Sequence, residues 1–393
     1  MANFDVSKGW VILIPAKQPT AAKMAEELSH YIELLRRQAE LPQTSPQVQD
    51  TSETPPDDSV PTILLNVDME RQEGNGFSWR MGKDRVEIYG ESGRGLCNGV
   101  FDFLGALGFR WPKPGQELLP PLDKLLPNEY IPKEVDAYHP SGADSICRRM
   151  VFRRKDSAKT LESMIVWAVR NKIDTLVFSL RSRVLQDHSP RPEDPPITQF
   201  FAKLFGKPNH DRELVLRLAE KYKLAIEGGG WDLSLLVPRG YFFLNQEIFR
   251  MDSGKRIKQY NFCPTAPQTI RLLQKEAEKI FRANPKVAVY HLWPDRGHEQ
   301  TWCSCPTCRA FTLVEQNRIA TNAAADTLAK VNPGARISYY ENISDQGDVA
   351  PRHNMFKINH LPGETGVEAM GWFLEENIGQ PAPQAEKNGE RGI

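Results

Sequence analysis

Three carboxylic acids follow short apolar runs of the chain. Asp295 and Glu299 come after residues 287–292, whose length and β-branched content are typical of a buried strand. Glu341 follows a similar run at residues 335–340. In α/β barrels the catalytic groups lie at the carboxyl ends of the strands. We therefore predict Asp295, Glu299 and Glu341 as catalytic acids, although a carboxylate such as Glu341 or Glu227, taken alone, is more often a cap or an ion-pair partner.

Aromatic and basic side chains accompany these acids at the ends of predicted strands. The predicted substrate-binding residues are Trp231, Asp232, Trp293, Arg153 and His298. Two facing carboxylates hydrolyse a glycosidic bond when one protonates the leaving oxygen and the other activates water or stabilises positive charge at the anomeric carbon. Indole rings offer flat apolar surfaces to a sugar, and an arginine can bind a substrate carboxylate through two hydrogen bonds. The pattern therefore predicts glycosidic-bond hydrolysis.

Three cysteines, Cys303, Cys305 and Cys308, follow in the same loop. They supply three thiolates, whereas structural zinc is normally four-coordinate, so Cys263 or His298 would have to complete a site. The alternatives are a buried loop lined by thiols, or one local disulfide if the protein is exported. In each case we predict a structural loop that braces the strand end carrying Asp295. Zinc at this cluster is the only cofactor that the sequence suggests.

The elements that must position these residues begin with an α/β pattern. Apolar runs at residues 10–14, 63–67, 77–81 and 85–89 predict strands, the last two as a hairpin, and the spacing of Met24, Leu28 and Leu35 predicts one face of a helix. Residues 42–61, rich in Pro, Ser, Thr and Asp, predict a mobile surface segment. Residues 112–140 are rich in proline and predict a connection between domains.

A glycine-rich turn and a helix occupy residues 90–111. The glycine spacing does not fit a dinucleotide-binding motif, and no acidic residue follows a second strand as that motif requires. We therefore favour a tight turn that lets helix and sheet approach, with Gly108 ending the helix. Arg94 is expected to pair with an acid such as Asp102, or to hold a domain interface.

This stretch resembles the signature of the small N-terminal domain that precedes the barrel in α-glucuronidases and related hexosaminidase-like glycosidases. The matching residues are Glu91, Ser92, Arg94, Gly95, Gly99, Val100, Asp102, Phe103, Leu104, Gly108, Arg110 and Trp111. The resemblance implies that residues 1–135 form a small N-terminal α/β domain in front of a (β/α) barrel.

Strands and helices alternate through the rest of the chain. The predicted strands are residues 146–153, 175–179, 224–227, 287–292 and 335–340, and the predicted helices are residues 158–170, 212–222, 267–281 and 315–330. Repeated βα units form a parallel sheet, and a barrel needs eight strands. With one weaker strand at 355–358, we predict a TIM-like barrel over residues 141–378 that is either divergent or incomplete. Residues 367–376 predict a helix, and residues 379–393 a polar tail.

Residues 227–355 resemble a hexosaminidase-like, barrel-forming domain of uncharacterised function found in polysaccharide-degrading bacteria. The matches include Gly229-Gly230, Gly254-Lys255-Arg256, Phe262-Cys263, Pro294-Asp295 and the CxCPxC motif that ends at Cys308. The resemblance implies a glycoside hydrolase acting on an acidic or N-acetylated sugar. Trp231 stands where a His is expected, and residues 245–247 replace His-Pro-Glu, which implies altered specificity or weak activity.

Composition limits the partners and the location. The 50 Lys and Arg residues balance the 50 Asp and Glu residues, so no long-range field favours nucleic acid or an anionic membrane. No stretch has the ~18 uninterrupted apolar residues of a membrane span. Residues 11–14 form a short apolar run without a small-residue cleavage site, which predicts a cytoplasmic protein, or an exported one if a signal has been removed. A carbohydrate is the expected partner, and the oligomeric state stays open.

Two other functions are compatible with these residues. A catalytically silent carbohydrate-binding protein would keep the aromatic cleft and lack the acid pair. A zinc-stabilised interaction module would depend on the cysteines instead. Turnover of aryl glycosides separates the first from a hydrolase, and a metal assay on the purified protein tests the second.

Overall fold

The computed structural model describes residues 4–51, 60–68, 74–121, 135–139, 148–152, 158–186, 209–295, 301–341, 347–358, 363–364 and 372–375. These residues form two large β-sheets with helices packed against them, together with two short hairpins. The predicted tail, residues 379–393, lies outside them. None of the helices in this part of the chain has the length and apolar character that crossing a membrane requires.

In the first part of the chain the described residues form eight strands and two helices. They are β1 (Val11–Ile14), α1 (Pro19–Gln38), β2 (Gln47–Asp50), β3 (Thr62–Val67), β4 (Phe77–Met81), β5 (Arg85–Gly90), α2 (Gly93–Leu107), β6 (Arg110–Lys113), β7 (Gln116–Leu118) and β8 (Val135–His139). The first sheet has the order β2-β1-β3-β5-β4-β8, with β4 antiparallel to both of its neighbours. The predicted hairpin of β4 and β5 is confirmed.

Both helices of the first part bury the faces that their apolar spacing predicts. Met24, Leu28 and Leu35 of α1 are fully buried. Helix α2 begins after Ser92, whose hydroxyl accepts hydrogen bonds from two backbone amides, and ends at Gly108, which is left-handed at φ 116°. The prediction that Gly108 ends this helix is confirmed.

Two strands of the first sheet lie where the sequence predicts irregular chain. Strand β2 lies within residues 42–61, which were expected to be a mobile segment, and pairs with β1 alone at the edge of the sheet. Strand β8 lies within the predicted interdomain connection and pairs with β4. An edge strand has hydrogen-bond partners on one side only, so it needs fewer core-facing apolar residues and gives a weaker sequence pattern.

The described residues of the second part form ten strands and four helices. They are β9 (Arg148–Phe152), α3 (Ala158–Arg170), β10 (Thr175–Phe178), α4 (His210–Tyr222), β11 (Ala225–Gly230), β12 (Met251–Asp252), β13 (Lys255–Arg256), α5 (Pro267–Ala283), β14 (Val289–Leu292), α6 (Leu313–Val331), β15 (Arg336–Tyr340), β16 (Met355–Ile358), β17 (Gly363–Glu364) and β18 (Trp372–Glu375). The strands and helices predicted between residues 146 and 358 are thus confirmed within a few residues at each end.

The second sheet has the order β16-β15-β14-β11-β10-β9-β18-β17. Its first six strands are parallel, whereas β18 is antiparallel to both β9 and β17. Among the described residues no ladder joins β16 to β17, so they do not form a complete TIM barrel of eight parallel strands. The absence of a closed ladder agrees with the incomplete form of the predicted barrel. The helix predicted at residues 367–376 is wrong over its last part, because Trp372–Glu375 is a strand.

The two faces of the second sheet differ in chemistry, because successive strand residues point to opposite sides. One face carries apolar side chains such as Met150, Leu176 and Ile337, which join one hydrophobic core with Met164 of α3 and Leu273 of α5. The opposite face, called the polar face below, carries buried polar residues, among them Arg149, Glu227, His291 and Ser338.

Arg94 holds α2 of the first part against the second part of the chain. Its Nε pairs with Asp174 Oδ1 at 3.1 Å, and its terminal nitrogens donate to the carbonyl oxygens of Ile173 at 3.0 Å and Tyr222 at 3.2 Å. The residue is buried, so the predicted interface role is confirmed. Asp102 is not its partner, because that carboxylate pairs with Lys172 instead.

The glycine-rich turn is also explained by close packing. A Cβ atom on Gly95 would lie 2.1 Å from the carbonyl oxygen of Gly76. Such a contact is sterically forbidden, so only glycine allows the helix to begin this near to the sheet. The turn therefore serves packing, as the sequence indicates, and its one arginine is already used at the interface.

We predict that Arg94→Met lowers the free energy of unfolding by ~3 kcal/mol, because the buried carboxylate of Asp174 loses its ion pair with Arg94. Urea unfolding followed by tryptophan fluorescence measures this change. The matched control is Arg85→Met, which removes an exposed ion pair with Glu87 and should cost less than ~1 kcal/mol. Equal effects of the two substitutions would contradict the interface role, as would micromolar binding of ATP or NAD that is lost in Arg94→Met.

Candidate functional site

The carboxyl ends of β11, β14 and β15 meet at one edge of the second sheet, because these strands are parallel neighbours. Gly230 pairs with Leu292, so Trp231 and Trp293 follow adjacent strands at the same level. Tyr340 ends β15 beside them. Five of the predicted site residues that the structure describes lie at or next to this edge, namely Trp231, Asp232, Trp293, Asp295 and Glu341.

An aromatic cluster covers this end of the polar face. Trp293 and Ile358 are buried at its centre, and Trp231, Tyr340 and Phe356 pack around them and are partly exposed. The rings of Trp231 and Trp293 meet edge to face, with centroids 5.2 Å apart. The sequence predicted that Trp293 binds the sugar with the flat face of its ring. Because 0% of the surface of Trp293 is exposed, it cannot make that contact in this structure. Trp231 remains a candidate for that role.

Asp295 lies beyond the end of β14, two residues after Trp293, as predicted. Its side chain is 25% exposed, and its Oδ2 pairs with Nη2 of Arg239 at 3.2 Å. Its backbone N–H donates to the Oδ1 atom of buried Asn261 at 3.0 Å. Sequence reasoning missed both partners because they belong to the long segment between β11 and α5, which has no periodic pattern.

Glu341, the second predicted catalytic acid that the structure describes, forms an ion pair with Arg318. Its two carboxylate oxygens accept hydrogen bonds from Arg318 of α6, at 2.6 Å from Nε and 2.8 Å from Nη2, and its side chain is 1% exposed. Tyr340 lies on the polar face, so the next residue along the strand points towards the helices. The geometry therefore does not support a catalytic role for Glu341 and favours a structural ion pair.

Asp232 is likewise buried, with 7% of its surface exposed. Its Oδ2 accepts the backbone N–H of Leu180, which follows β10, at 2.6 Å. It thus ties together the loops after β10 and β11, and this geometry does not support the predicted substrate contact. Arg153, His298 and Glu299 lie outside the described residues, so their predicted roles remain predictions.

A chain of hydrogen bonds runs across the polar face below the aromatic cluster. Glu227 pairs with Arg149 through both carboxylate oxygens, at 2.8 and 3.2 Å, and its Oε2 lies 2.8 Å from Nε2 of His291. The Oγ of Ser338 lies 2.6 Å from Nδ1 of His291 and accepts the indole N–H of Trp293 at 3.0 Å. If Ser338 donates to Nδ1 and Nε2–H donates to Glu227, each of these groups is satisfied.

This network explains the state of Glu227. Burial alone would raise the pKa of its carboxyl group, but the charge of Arg149 and the hydrogen bond from His291 outweigh burial and hold that pKa below its ordinary value of 4.5. Glu227 is therefore an ionised structural residue beneath the site, in agreement with the ion-pair alternative for this residue. A histidine within the apolar strand Val289–Leu292 was the one sequence signal for such a network.

The three cysteines of the CxCPxC motif come together with Cys263. Their Sγ atoms all lie within 4.8 Å of one another, and all four residues are buried. Cys263 is thus the fourth thiol, whereas His298, the other residue proposed to complete a metal site, lies outside the described residues.

Comparison with known proteins gives structural neighbours only. No protein-family model matches the sequence, and a search of curated proteins also gives no match. The chain superposes on the β-N-acetylhexosaminidase of Bacteroides fragilis with a TM-score of 0.51 and 14% identity, covering 89% of this chain and 66% of that one. For the GH20 β-N-acetylhexosaminidase of Streptomyces coelicolor these values are 0.53, 13%, 91% and 66%. For the Flavobacterium johnsoniae chitobiase they are 0.52, 11%, 91% and 52%.

These neighbours support a hexosaminidase-like fold. At such low identity the likeness concerns the fold alone, and this chain spans just under two thirds of the first two structures and about half of the third. The hexosaminidase part of the resemblance stated from the sequence is supported to that extent. The α-glucuronidase part stays a prediction.

We predict that Glu227→Gln destabilises the protein by ~3 kcal/mol at neutral pH, because the buried guanidinium of Arg149 loses its ion pair with the Glu227 carboxylate. The pKa of Glu227 is lower in the folded chain than its ordinary value of 4.5, so the contribution of the carboxylate is fully present above that pH. It is lost as the pH falls through the lower, folded-state pKa. The difference in thermal midpoint between wild type and variant should therefore shrink towards pH 3.

The control for this pH series is Glu278→Gln, which removes an exposed ion pair with Arg282 within α5. Its thermal midpoint should stay within a degree or two of wild type from pH 7 to pH 3. A Glu227→Gln difference that is independent of pH would show that the carboxylate charge is not what the network requires.

Proposed function

We propose that the chain is a carbohydrate-active protein that hydrolyses the glycosidic bond of an N-acetylated sugar. One observation carries this proposal. Asp295, which is partly exposed and paired with Arg239, lies three residues after the end of strand β14. The partly exposed indole of Trp231 packs against Trp293, the residue that directly follows that strand. A carboxylate beside an aromatic surface, at the carboxyl edge of a parallel sheet, is a suitable arrangement for binding and cleaving a sugar.

The ion pair indicates which role Asp295 would take. A carboxylate paired with a guanidinium acts as an anion, so it stabilises positive charge rather than donating a proton. The transition state of glycoside hydrolysis carries positive charge near the anomeric carbon. Asp295 would thus act on that charge, directly or through the substrate. Protonation of the leaving oxygen would require another acid, for which Glu299 is the remaining candidate from the sequence.

The acids near the site support an N-acetylated substrate. The structure describes four of the carboxylates that the sequence made candidates for the site. Glu227, Asp232 and Glu341 are buried, with 5%, 7% and 3% of their surface exposed, and among these four only Asp295 is accessible. When a sugar carries an acetamido group, that group can supply the nucleophile in substrate-assisted hydrolysis, so a second protein nucleophile is not required. The hexosaminidase-like fold agrees with this choice, and an acidic sugar is the alternative substrate.

Arg239 offers a further contact for a polar ligand. Its Nη1 atom has no hydrogen-bond partner among the described residues, although it is buried. A buried donor without a partner loses free energy, so an acceptor oxygen that reached it would be favoured. Binding of a sugar hydroxyl or acetamide oxygen near Asp295 would supply such an acceptor.

We predict that Asp295→Asn lowers kcat/KM on the best substrate of an aryl-glycoside panel by at least ~100-fold, because the anion opposite the developing positive charge is lost. The panel should contain N-acetyl-β-glucosaminide, N-acetyl-β-galactosaminide and β-glucuronide substrates. The thermal midpoint should hardly change, since the pair with Arg239 is partly exposed.

The matched control for this experiment is Asp326→Asn, which breaks an exposed ion pair with Arg352 far along α6 and should leave turnover unchanged. Full activity of Asp295→Asn would remove Asp295 from the mechanism and move the role to Glu299. Cleavage of the glucuronide alone would replace the N-acetylated sugar by an acidic one.

A second function, a carbohydrate-binding protein without catalysis, is favoured by one specific observation. Three of the four described candidate carboxylates are buried, and the contacts of Glu227 and Glu341 use both of their carboxylate oxygens. A protein with this arrangement could keep the aromatic surface of Trp231 and bind a sugar without turning it over.

We predict that Trp231→Ala weakens binding of N-acetylglucosamine oligomers by about tenfold or more in isothermal titration, because the apolar contact with the sugar ring is lost. The control is Tyr89→Ala, an exposed aromatic residue of the first sheet. This effect is expected for either function, so turnover of the aryl glycosides by wild type distinguishes them. Unchanged affinity in Trp231→Ala would contradict both.

A further inference from the structure

The sulfur atoms of four buried cysteines, which come from two separate segments of the chain, all lie within 4.8 Å of one another. The Sγ of Cys263 lies 3.8 Å from that of Cys305 and 3.6 Å from that of Cys308. A disulfide bond would require ~2.05 Å. Four ligands in a tetrahedron with zinc–sulfur bonds of ~2.3 Å have sulfur–sulfur distances of about 3.8 Å. The observed spacing therefore matches a four-thiolate zinc site and does not match disulfides.

Hydrogen-bond donors surround these sulfur atoms. The backbone N–H of Met251 lies 3.2 Å from the Sγ of Cys303, and Nη1 of Arg256 lies 3.6 Å from the same atom. The hydroxyl of Thr265 lies 3.1 Å from the Sγ of Cys308. Four thiolates around a divalent ion carry a net negative charge, and donors placed around a metal's ligands stabilise that charge. A purely apolar thiol core would gain little from them.

The surrounding helices add to this electrostatic support. Helix α5 begins at Pro267, shortly after Cys263, and α6 begins at Leu313, shortly after Cys308. The amino-terminal end of a helix carries a partial positive charge, which favours nearby anions. Two such ends therefore lie close in the chain to the proposed negative centre.

We propose that Cys263, Cys303, Cys305 and Cys308 bind one Zn²⁺ ion. All four ligand positions are filled by protein sulfur, which leaves no open position for water or substrate. The site is therefore structural rather than catalytic. This proposal does not depend on the hydrolase function.

The position of the site gives the ion a specific task. Asn261 lies two residues before Cys263, and Thr301 lies two residues before Cys303. The side chain of Asn261 accepts the backbone N–H of Asp295 at 3.0 Å and donates to the carbonyl oxygen of Thr301 at 3.2 Å. An ion that joins the two cysteine segments would therefore fix both ends of the junction that holds Asp295.

Hydrogen bonds from helix α6 also fix the backbone of the cysteine loop. The side chain of Gln316 in α6 accepts the N–H of Cys303 at 3.1 Å and donates to the carbonyl oxygens of Cys303 and Cys308, each at 3.2 Å. The backbone at Cys303 and Cys308 is thus held in place by α6. Such preorganisation favours metal binding, because fewer residues must be ordered when the ion enters.

The direct test is the metal content of the wild-type protein, purified under reducing conditions with added zinc chloride and then desalted. We expect one zinc per chain by inductively coupled plasma mass spectrometry. After zinc removal under denaturing conditions and refolding with Co²⁺, we expect the absorption bands of a tetrahedral thiolate site. Less than 0.1 zinc per chain, stoichiometric iron in its place, or disulfides among these cysteines in the reduced preparation would overturn the proposal.

The matched variants are Cys305→Ser in the cluster and Cys97→Ser in α2, another buried cysteine outside it. Cys305→Ser should lose most of the zinc and lower the thermal midpoint by ~5 °C or more, whereas Cys97→Ser should keep one zinc per chain. A zinc chelator should lower the midpoint of wild type and Cys97→Ser, but not that of Cys305→Ser. Full zinc occupancy in Cys305→Ser would also contradict the four-cysteine site.

If Cys305→Ser cannot be obtained in folded form, the chelator and Co²⁺ experiments on wild type still decide the question. Loss of zinc should lower the fraction of folded chains more than it lowers turnover per folded chain. Failure to bind zinc would leave the hydrolase proposal standing, and absence of turnover would leave the zinc proposal standing, so the two can fail separately.

Discussion

The buried ion pair of Arg149 and Glu227 constrains how the strands of the second sheet align. Removing a carboxylate and a guanidinium from water costs several kcal/mol for each group unless every polar atom finds a partner. Glu227 meets this requirement through Arg149 and His291, and His291 through Ser338. The four residues belong to four different strands, so their contacts fix how β9, β11, β14 and β15 align.

Strand register is the property that this network protects. A shift of one residue would turn Glu227 and His291 towards the helices, where the sheet packs an apolar core around residues such as Leu176 and Ile337. Charged groups without partners in that core would be very unfavourable. The polar face and the apolar face thus specify the same alignment, one through hydrogen bonds and the other through burial of hydrophobic surface.

The candidate site rests directly on this network. Ser338 accepts the indole N–H of Trp293, and Trp293 in turn supports Trp231 at the carboxyl edge of the sheet. Asp295 stands beyond this buried layer, where Arg239 and Asn261 hold its side chain and its backbone. The sheet therefore supports the aromatic residues of the candidate site. The segments around the four cysteines fix the position of the Asp295 carboxylate beyond the end of the sheet.

The sequence by itself determined the local elements, because their signals are local. Apolar spacing predicts α1, α3, α5 and α6, and the six parallel strands of the second sheet, since burying one face is what makes each element stable. The position of Asp295 at a strand end follows from the same pattern. The sequence did not predict strands β2, β8 and β18, because they lie at or near sheet edges, where a strand needs fewer apolar residues.

The tertiary structure alone decided which selected residues are free to act. Trp293, Asp232 and Glu341 have the residue types and spacing of a sugar site, yet each is buried against a partner far away in the chain. The alternation of side chains along a strand indicates that Glu341 points to the side opposite Tyr340. It does not indicate the partner of Glu341, because Arg318 lies on a separate helix. Likewise, Cys263 joins the CxCPxC cysteines across 42 residues of chain to Cys305. Such contacts depend on how distant segments pack, and a local pattern of residues carries no information about that.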